Sequence, residues 1–440
     1  MLVTSGYKVE ILKLHTPLRR TMEISRRAVS WLEPVIDGEW DVLSAIEGEK
    51  RRFNAAEQLI HSARGRKAKY GFDREFPKMP SYLRRAILQH VIGEVSSWHT
   101  GSRKTPGSTR KKAEAGKSGQ PHYMPVFYKD NMYRKEEDRV FLKLYSGTDW
   151  VWQEIRLKKT DLDYLRKNWS DVKAKSPVLV KRHKKYYLQF AYETSVSLTS
   201  KKPMQQRVCA VDLGINTDAA CSIMEADGTV AARRFINFAA EKDRMYHVLN
   251  RVRKHQSKHG PQSVRGFWAY ASRLNEEIAR KTAGAIIQFA KENRADVIVF
   301  EHLDMQGRKI RGKSRQKLHM WKKQAVQKIA EHQAHRLGMR ISRVCAWGTS
   351  RYAFDGSGKL TRDPENHSLA VFQNGKQYNC DLSASYNIGA RYFIRKLLKS
   401  VPETERSVLE AKVPAVQRRT SCVYADLKML SDVMAEERAA

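Results

Sequence analysis

Two short apolar runs, each followed at once by a carboxylate, mark the second half of the chain. Residues 208–211 read Val-Cys-Ala-Val and lead into Asp212, and residues 297–300 read Val-Ile-Val-Phe and lead into Glu301. A compact run of β-branched and other apolar residues predicts a buried strand. We therefore expect two buried strands, each presenting an acidic side chain at its end.

A third carboxylate, Asp381, stands just before a helical pattern. The apolar residues that recur there at near-helical spacing are Tyr386, Ile388, Tyr392, Phe393 and Leu397. This spacing puts Asp381 in or beside the first turn of a helix. Either the three acids are unrelated strand-end and capping residues, or they form one site. Carboxylates from distant segments suit two Mg²⁺ or Mn²⁺ ions, which take oxygen ligands and assist phosphodiester hydrolysis.

Turn dipeptides divide the sequence around these runs into predicted hairpins. Residues 218–225 and 229–236 read as strands on either side of Asp227-Gly228, so an antiparallel meander follows Asp212. Residues 368–380 read as a second hairpin about Asn374-Gly375.

In the first half of the chain, the hydrophobic pattern changes from one typical of helices to one typical of strands. After an alternating strand at Tyr7–Leu14, the pattern is helical as far as about His99, including a helix over 80–97. From Tyr123 to Ser195 it becomes a series of short alternating strands. This series predicts a small antiparallel barrel.

Net charge decides between partner classes. The 440 residues contain 82 Lys and Arg against 47 Asp and Glu, a formal charge of +35, and the pI is about 10.0. Such an excess favours polyanions, and nucleic acid is the leading class. An anionic membrane surface is the alternative, but no anchor, signal peptide or long apolar segment is recognisable. We expect a cytoplasmic protein that does not bind membranes.

Three basic segments are candidate contacts to nucleic acid. The first precedes the last predicted strand of the barrel and comprises Lys181, Arg182, Lys184 and Lys185. The second follows Glu301 and comprises Arg308, Lys309, Arg311, Lys313, Arg315 and Lys317. A charged hairpin turn and an unordered lid are the respective alternatives. Residues 101–121 are low in complexity and read as a flexible basic loop, for which a solvated tether is favoured over a nonspecific phosphate contact.

The three acidic motifs also carry a family resemblance. Val-Asp-Leu-Gly-Ile-Asn with Asp212, Val-Ile-Val-Phe-Glu-His-Leu with Glu301, and Cys-Asp-Leu-Ser-Ala-Ser-Tyr-Asn-Ile with Asp381 resemble the three catalytic motifs of the RuvC domain in TnpB nucleases and miniature type V CRISPR effectors. The clear likeness covers about 207–398. It implies an RNase H-like α/β nuclease domain in which Asp212, Glu301 and Asp381 bind Mg²⁺.

The resemblance also implies a domain order, with a wedge-type barrel that carries a helical recognition insertion. The expected segments are 1–16 (first barrel strand), 17–122 (helical recognition domain), 123–204 (barrel), 205–345 (nuclease), 346–379 (degenerate zinc-ribbon insert), 380–400 (last nuclease motif and helix) and 401–440 (tail). The partners implied are a guide RNA and a target DNA.

One departure from the family concerns zinc. Members follow the Thr-Ser stretch with paired cysteines, whereas Thr349-Ser350 here leads into a segment without them. Cys345, Cys380 and His367 have the wrong spacing for a ribbon, so we expect the insert to fold without zinc. Cys209 and Cys221 read as buried strand residues.

The function that the resemblance implies is RNA-guided cleavage of DNA at a single RuvC-type site. Two alternatives remain from the sequence: a guide-dependent DNA-binding protein with weak or no cleavage, and an unguided nuclease or transposase with the same fold.

Overall fold

The chain divides into two compact units, Leu2–Thr194 and Met1 together with Ser195–Ala440. The computed structural model describes residues 1–104, 123–136, 139–260, 264–302, 323–366, 368–418 and 420–439. The second predicted basic segment, from Arg308 to Lys317, and His367 lie outside the described residues.

A six-stranded sheet runs through the amino-terminal unit in the order β2-β3-β4-β1-β6-β5. Its strands are β1 (Leu2–Leu12), β2 (Tyr133–Glu136), β3 (Arg139–Tyr145), β4 (Trp150–Leu157), β5 (Val178–Arg182) and β6 (Lys185–Ser195). The pairs β2-β3, β3-β4, β1-β4 and β5-β6 are antiparallel. Within the described residues the two edge strands, β2 and β5, are not neighbours, so a closed barrel is not confirmed.

Helices of this unit share one core with the sheet. They are α1 (His15–Gly38), α2 (Trp40–Ala45), α3 (Glu49–Ile60), α4 (Phe72–Glu75), α5 (Ser81–Lys104) and α6 (Lys159–Trp169). Leu18, Leu32 and Leu83 from the helices are fully buried with Leu142 and Leu188 from the strands. The burial of apolar side chains from both kinds of element holds the helical segment against the sheet.

Two expectations for this unit were wrong. Residues 101–104 belong to α5 and not to a loop, because a single glycine, Gly101, weakens a helix without ending it. The rest of that predicted loop lies outside the described residues. Helix α6 stands in a region where the sequence predicted strands only; Leu162, Leu165 and Trp169 form its inner face.

A five-stranded mixed sheet organises the carboxy-terminal unit in the order β11-β10-β7-β8-β9. Its strands are β7 (Val208–Asp212), β8 (Ala219–Met224), β9 (Val230–Ile236), β10 (Val297–His302) and β11 (Arg340–Cys345). Strands β7, β10 and β11 are parallel, and β8 and β9 continue from β7 as an antiparallel meander. The predicted meander and both predicted buried strands are confirmed.

Helices cover both faces of this sheet. They are α7 (Ala239–His259), α8 (Arg265–Glu292), α9 (Lys323–Arg336), α10 (Cys380–Ser400), α11 (Glu403–Lys412) and α12 (Tyr424–Ala439). On one face Val211 and Ile298 pack with α8 and α9, and on the other Ala210 and Val299 pack with α10 and α12. Cys209 and Cys221 are buried as predicted. Tyr270 is exposed on α8.

A small three-stranded sheet precedes α10. Its strands are β12 (Thr361–Arg362), β13 (Leu369–Val371) and β14 (Gln377–Asn379), and β13 and β14 form the predicted hairpin about Asn374-Gly375. The segment 401–440, expected as a tail, contains α11 and α12. No helix of the described residues is long and apolar enough to cross a membrane.

Candidate functional site

Asp212 and Glu301 occupy equivalent positions on neighbouring strands. The parallel register of β7 and β10 pairs Val211 with Phe300, and the two acids are the next residue on each strand. Both side chains are largely buried, with 8% and 7% of their surface exposed. Since carboxyl ends of parallel strands meet at one edge of a sheet, the fold brings together two acids that are 89 positions apart.

The two carboxylates also belong to the same face of the sheet. Alternate residues of a strand point to the same side. Val208 and Ala210 of β7 and Val299 of β10 pack on the side of α10. Asp212 and Glu301 lie two residues after Ala210 and Val299, so both acids belong to the face that α10 covers.

Helix α10 runs in the opposite direction to β7, as three contacts along it show. Ser385 lies 3.1 Å from Ser222, which pairs with Ala210. Farther along, Gly389 lies so close to the sheet that a Cβ there would be 2.9 Å from the sulfur of Met224. Finally, the hydroxyl of Tyr392 donates to Gln206 at 2.6 Å, before β7 begins. The first turn of α10, with Asp381, therefore lies toward the end of β7 that carries Asp212.

The start of α10 is built by a side-chain cap. The Asn379 side chain accepts hydrogen bonds from the backbone N–H groups of Asp381 and Leu382, at 3.0 and 2.9 Å. The positive end of the helix dipole favours a carboxylate in this turn. Beside it, burial and the carboxylate of Asp381 raise the pKa of Cys380 to about 11. Cys380 is therefore a neutral thiol at neutral pH.

Glu301 is held from two sides. The buried hydroxyl of Thr349 donates to a carboxylate oxygen of Glu301. The side chain of Gln327, on α9, donates to the backbone carbonyl of Glu301 at 3.0 Å. These contacts fix both the strand end and the orientation of the acid.

The loop that carries Thr349 is itself clamped by α10. Asn387 donates to the carbonyls of Thr349 and Tyr352, both at 3.0 Å. Arg391 donates to the carbonyls of Cys345 at 2.7 Å and Trp347 at 2.8 Å. Burial lowers the pKa of this arginine, and nearby groups that include the Glu301 carboxylate partly offset the effect. One helix thus contributes Asp381 and also positions the loop that orients Glu301.

The donor chemistry of the three acids fits a hard divalent cation, since all the ligands on offer are carboxylate oxygens. As the described residues stand, however, no three His, Cys, Asp or Glu side chains form a group that could hold a metal ion. A shared sheet edge and face are established for Asp212 and Glu301, and Asp381 lies toward the same end. The assignment of these residues as cation ligands stays a prediction.

The first predicted basic segment forms an exposed hairpin. It joins β5 to β6 and comprises Lys181, Arg182, Lys184 and Lys185. Lys185 pairs with Glu10 at 2.6 Å, and Lys181 lies 5.5 Å from the ring centre of Tyr186. Exposure is compatible with a phosphate contact, which no observation tests.

Aromatic side chains form the core where the resembled family has zinc. The ring of Phe354 lies 5.6 Å from that of Phe372, 4.9 Å from that of Tyr378 and 5.2 Å from that of Tyr386, centre to centre. The predicted absence of zinc is untested. Cys345 is exposed at the end of β11, whereas Cys380 is buried at the start of α10.

Comparisons of sequence with known proteins cover only part of the chain. A family model, described as the Aq_aa04 family, matches residues 5–146, which is less than half of the chain. No curated protein matches the sequence.

Two solved structures match most of the chain. The first is a Cas12f1-sgRNA-target DNA complex, with a TM-score of 0.53 and 12% identity over 84% of this chain and 82% of that one. The second is the mini-RNA-guided endonuclease CRISPR-Cas_phi3, with a TM-score of 0.50 and 11% identity over 88% of this chain and 92% of that one. The chain shares its fold with these two proteins. At such low identity the likeness extends to the fold alone, and at that level the resemblance to miniature type V effectors is confirmed.

Sequence reasoning identified the strands that carry Asp212 and Glu301 but missed the residues that orient them. Thr349 was visible only as part of a Thr-Ser stretch, and Arg391 read as an ordinary helix residue. A charged residue among the apolar positions of a predicted core helix was the available signal, because buried arginines are rare unless they are paired.

Proposed function

We propose that this protein is an RNA-guided DNA endonuclease with one RuvC-type site. In this account Asp212, Glu301 and Asp381 bind two Mg²⁺ or Mn²⁺ ions within an RNase H-like domain. The placement of Asp212 and Glu301 side by side on the face covered by α10 is the observation that carries the proposal. The fold shared with a Cas12f1-sgRNA-target DNA complex supports a guide RNA and a target DNA as partners.

Bound divalent cations would supply an activated water and stabilise the leaving oxygen. The protein's own contribution is to hold the ligands. Thr349 orients the side chain of Glu301, and the Asn379 cap holds the backbone at Asp381. Because the three acids do not form a metal-holding group as they stand, the proposal requires cation binding to draw their side chains together.

The excess of positive charge supports polyanion binding by the remainder of the chain. We assign backbone contacts to the hairpin at Lys181–Lys185, on a sheet that would serve as the wedge barrel, with α1–α5 as its recognition insertion. Sequence selectivity would come from base pairing with the guide, as in related guided systems. The protein would act in the prokaryotic cytoplasm.

A second candidate is a guide-dependent DNA-binding protein with weak cleavage. The observation that favours it is the lack of a ready-made group of three metal ligands among the described side chains. Poor positioning by about 1 Å can lower a rate on the order of a hundredfold. An unguided nuclease has no specific observation in its favour.

The test begins with the nucleic acid that copurifies with the full chain. We expect a discrete structured RNA. Binding and cutting are then measured on a duplex matched to that RNA and on a scrambled duplex, with Mg²⁺ or with EDTA, over increasing salt. Matched DNA should bind more tightly, affinity should fall steeply with salt through counterion release, and cutting should be slower than binding.

Three outcomes separate the candidates. Guided, Mg²⁺-dependent cutting supports the endonuclease. Guided binding without cutting in any divalent cation supports the binding protein. Equal treatment of matched and scrambled DNA, without a discrete RNA, would refute both guided accounts.

A further inference from the structure

An exposed tryptophan stands on the loop that orients Glu301. Trp347 has 54% of its surface exposed. It follows the exposed end of β11 and precedes the buried Thr349 by two positions. Two residues span at most about 7 Å of backbone. The indole is therefore attached close to the carboxylate that Thr349 contacts.

The backbone beneath this indole is rigidly held. Arg391 binds the carbonyl of Trp347 and also that of Cys345, two residues earlier. Gly348 has a φ of +71°, and a Cβ there would lie 2.8 Å from the ring of Tyr352. The Tyr352 ring centre lies 5.7 Å from that of Trp347, tilted by 44°. The two rings thus form a small, fixed aromatic surface at the rim of the site.

A large apolar ring that is held in place yet left in solvent is suited to a partner with a flat face. Unpaired nucleobases stack on exposed aromatic side chains whatever their sequence. The exposed Arg351 lies close by in the chain and adds positive charge. A protein partner could also contact this ring, but the overall charge of +35 and the exposed Arg351 favour a nucleic acid strand.

We propose that Trp347 is a stacking platform for an unpaired base of the strand that reaches Asp212 and Glu301. The inference rests on the proposed function for the identity of that strand. Stacking on Trp347 would hold one nucleotide of the strand, and the neighbouring phosphate would then lie at the carboxylates of Asp212 and Glu301. The platform is sequence-tolerant, as a site that cuts DNA chosen by a guide requires.

The experiment uses the full chain and single-stranded DNA oligonucleotides that carry one 5-iodouracil at successive positions. Ca²⁺ replaces Mg²⁺ so that binding is measured without cleavage. After irradiation, cross-links are mapped by mass spectrometry, and affinity is measured over a salt series. Variants are Trp347→Ala and Trp347→Phe, with Tyr246→Ala as the control because Tyr246 is equally exposed, at 57%, on α7.

We expect cross-links at Trp347 from one or two adjacent positions. Trp347→Ala should weaken binding about tenfold to a hundredfold, the range of base–aromatic stacking, while Trp347→Phe and Tyr246→Ala stay close to wild type. The slope of log affinity against log salt should not change in Trp347→Ala, since a ring releases no counterions. Thermal melting should be unaltered, because the ring is exposed.

Cross-links that map elsewhere, or a Trp347→Ala affinity equal to that of wild type, would overturn the platform. So would a change in self-association, measured by sedimentation, in place of a change in DNA binding; that result assigns the ring to a protein contact. The proposed function is judged separately. Guided cutting that is indifferent to Trp347 refutes the platform alone, and stacking without guided cutting or binding refutes the guided function alone.

Discussion

The five-stranded sheet and the three-stranded insert of the carboxy-terminal unit are stabilised by different means. In the larger sheet, the central strands β7, β8 and β10 are apolar and buried on both faces, and β7 and β10 carry two acids at one edge. In the insert, rings of Phe354, Phe372 and Tyr378 occupy the region where the resembled family has cysteines. The comparison shows that strand register alone brings two distant acids together, whereas the insert is held together by the packing of aromatic rings.

The largest expected effect tests the first half of this comparison. Asp212→Ala, Glu301→Ala or Asp381→Ala should each lower DNA cleavage at least about a hundredfold, because each removes an anionic ligand from a shared cation site. Cleavage is measured on the matched duplex in Mg²⁺ and in Mn²⁺. The affinity of these variants for DNA, measured under conditions without cleavage, should stay within about threefold of that of the wild type. Wild-type cutting by Asp381→Ala would exclude the helix residue from the site.

The second prediction tests the aromatic core of the insert. Phe372→Ala should destabilise the insert by about 3 kcal/mol or more, since it removes a buried ring and leaves a cavity. Hydrogen exchange of residues 369–379 reports this local stability. Phe372→Leu is the matched control and should cost less. EDTA should leave this exchange unchanged, and about one zinc per chain by elemental analysis would show that the insert is a metal site.

A smaller effect tests the link between the two regions. Thr349→Val keeps the shape of the side chain but removes the hydroxyl that binds Glu301. Mutation of a residue that orients a metal ligand typically lowers metal affinity or activity by about tenfold to a hundredfold. We expect a loss of cleavage in that range, partly recovered at high Mg²⁺, and near-normal activity in Thr349→Ser. Equal losses in the valine and serine variants would argue against a role for the hydroxyl.

The smallest effect concerns pH. The pKa of Cys380, raised to about 11 by burial and Asp381, exceeds an ordinary thiol value of about 9. The neutral thiol therefore contributes stability that is fully present below about pH 9 and is lost as the pH rises through about 11. Cys380→Ala should flatten this alkaline loss in unfolding curves.

Alkylation at neutral pH supplies an independent check on that thiol. The exposed Cys345 should react first, and Cys380 should resist modification. Rapid labelling of Cys380 at neutral pH would mean that it is neither buried nor neutral.

Sequence reasoning succeeded where a local pattern determines the structure. Four consecutive apolar residues before Asp212, and four before Glu301, were enough to place both acids at strand ends. Asp227-Gly228 and Asn374-Gly375 were enough for the hairpins. In these cases the side-chain period and the turn chemistry act over a few neighbouring residues.

The remainder depends on contacts that no local pattern contains. Thr349 meets Glu301 across 48 positions, and only the packing of α10 against the sheet brings them together. Arg391 is buried because three backbone carbonyls accept its hydrogen bonds, a circumstance invisible in a helical pattern. Helix α6 has only 11 residues and was missed within a region that reads as strands.

The most direct test of the central claim is a titration of Mn²⁺ into the full chain, followed by electron paramagnetic resonance. We expect the wild type to bind Mn²⁺ at a site for which Mg²⁺ competes. Asp212→Asn and Glu301→Gln should each weaken that binding at least about tenfold, while Glu436→Gln, an exposed acid on α12, should not. Equal Mn²⁺ binding by wild type, Asp212→Asn and Glu301→Gln would contradict the claim that the two strands form one cation site.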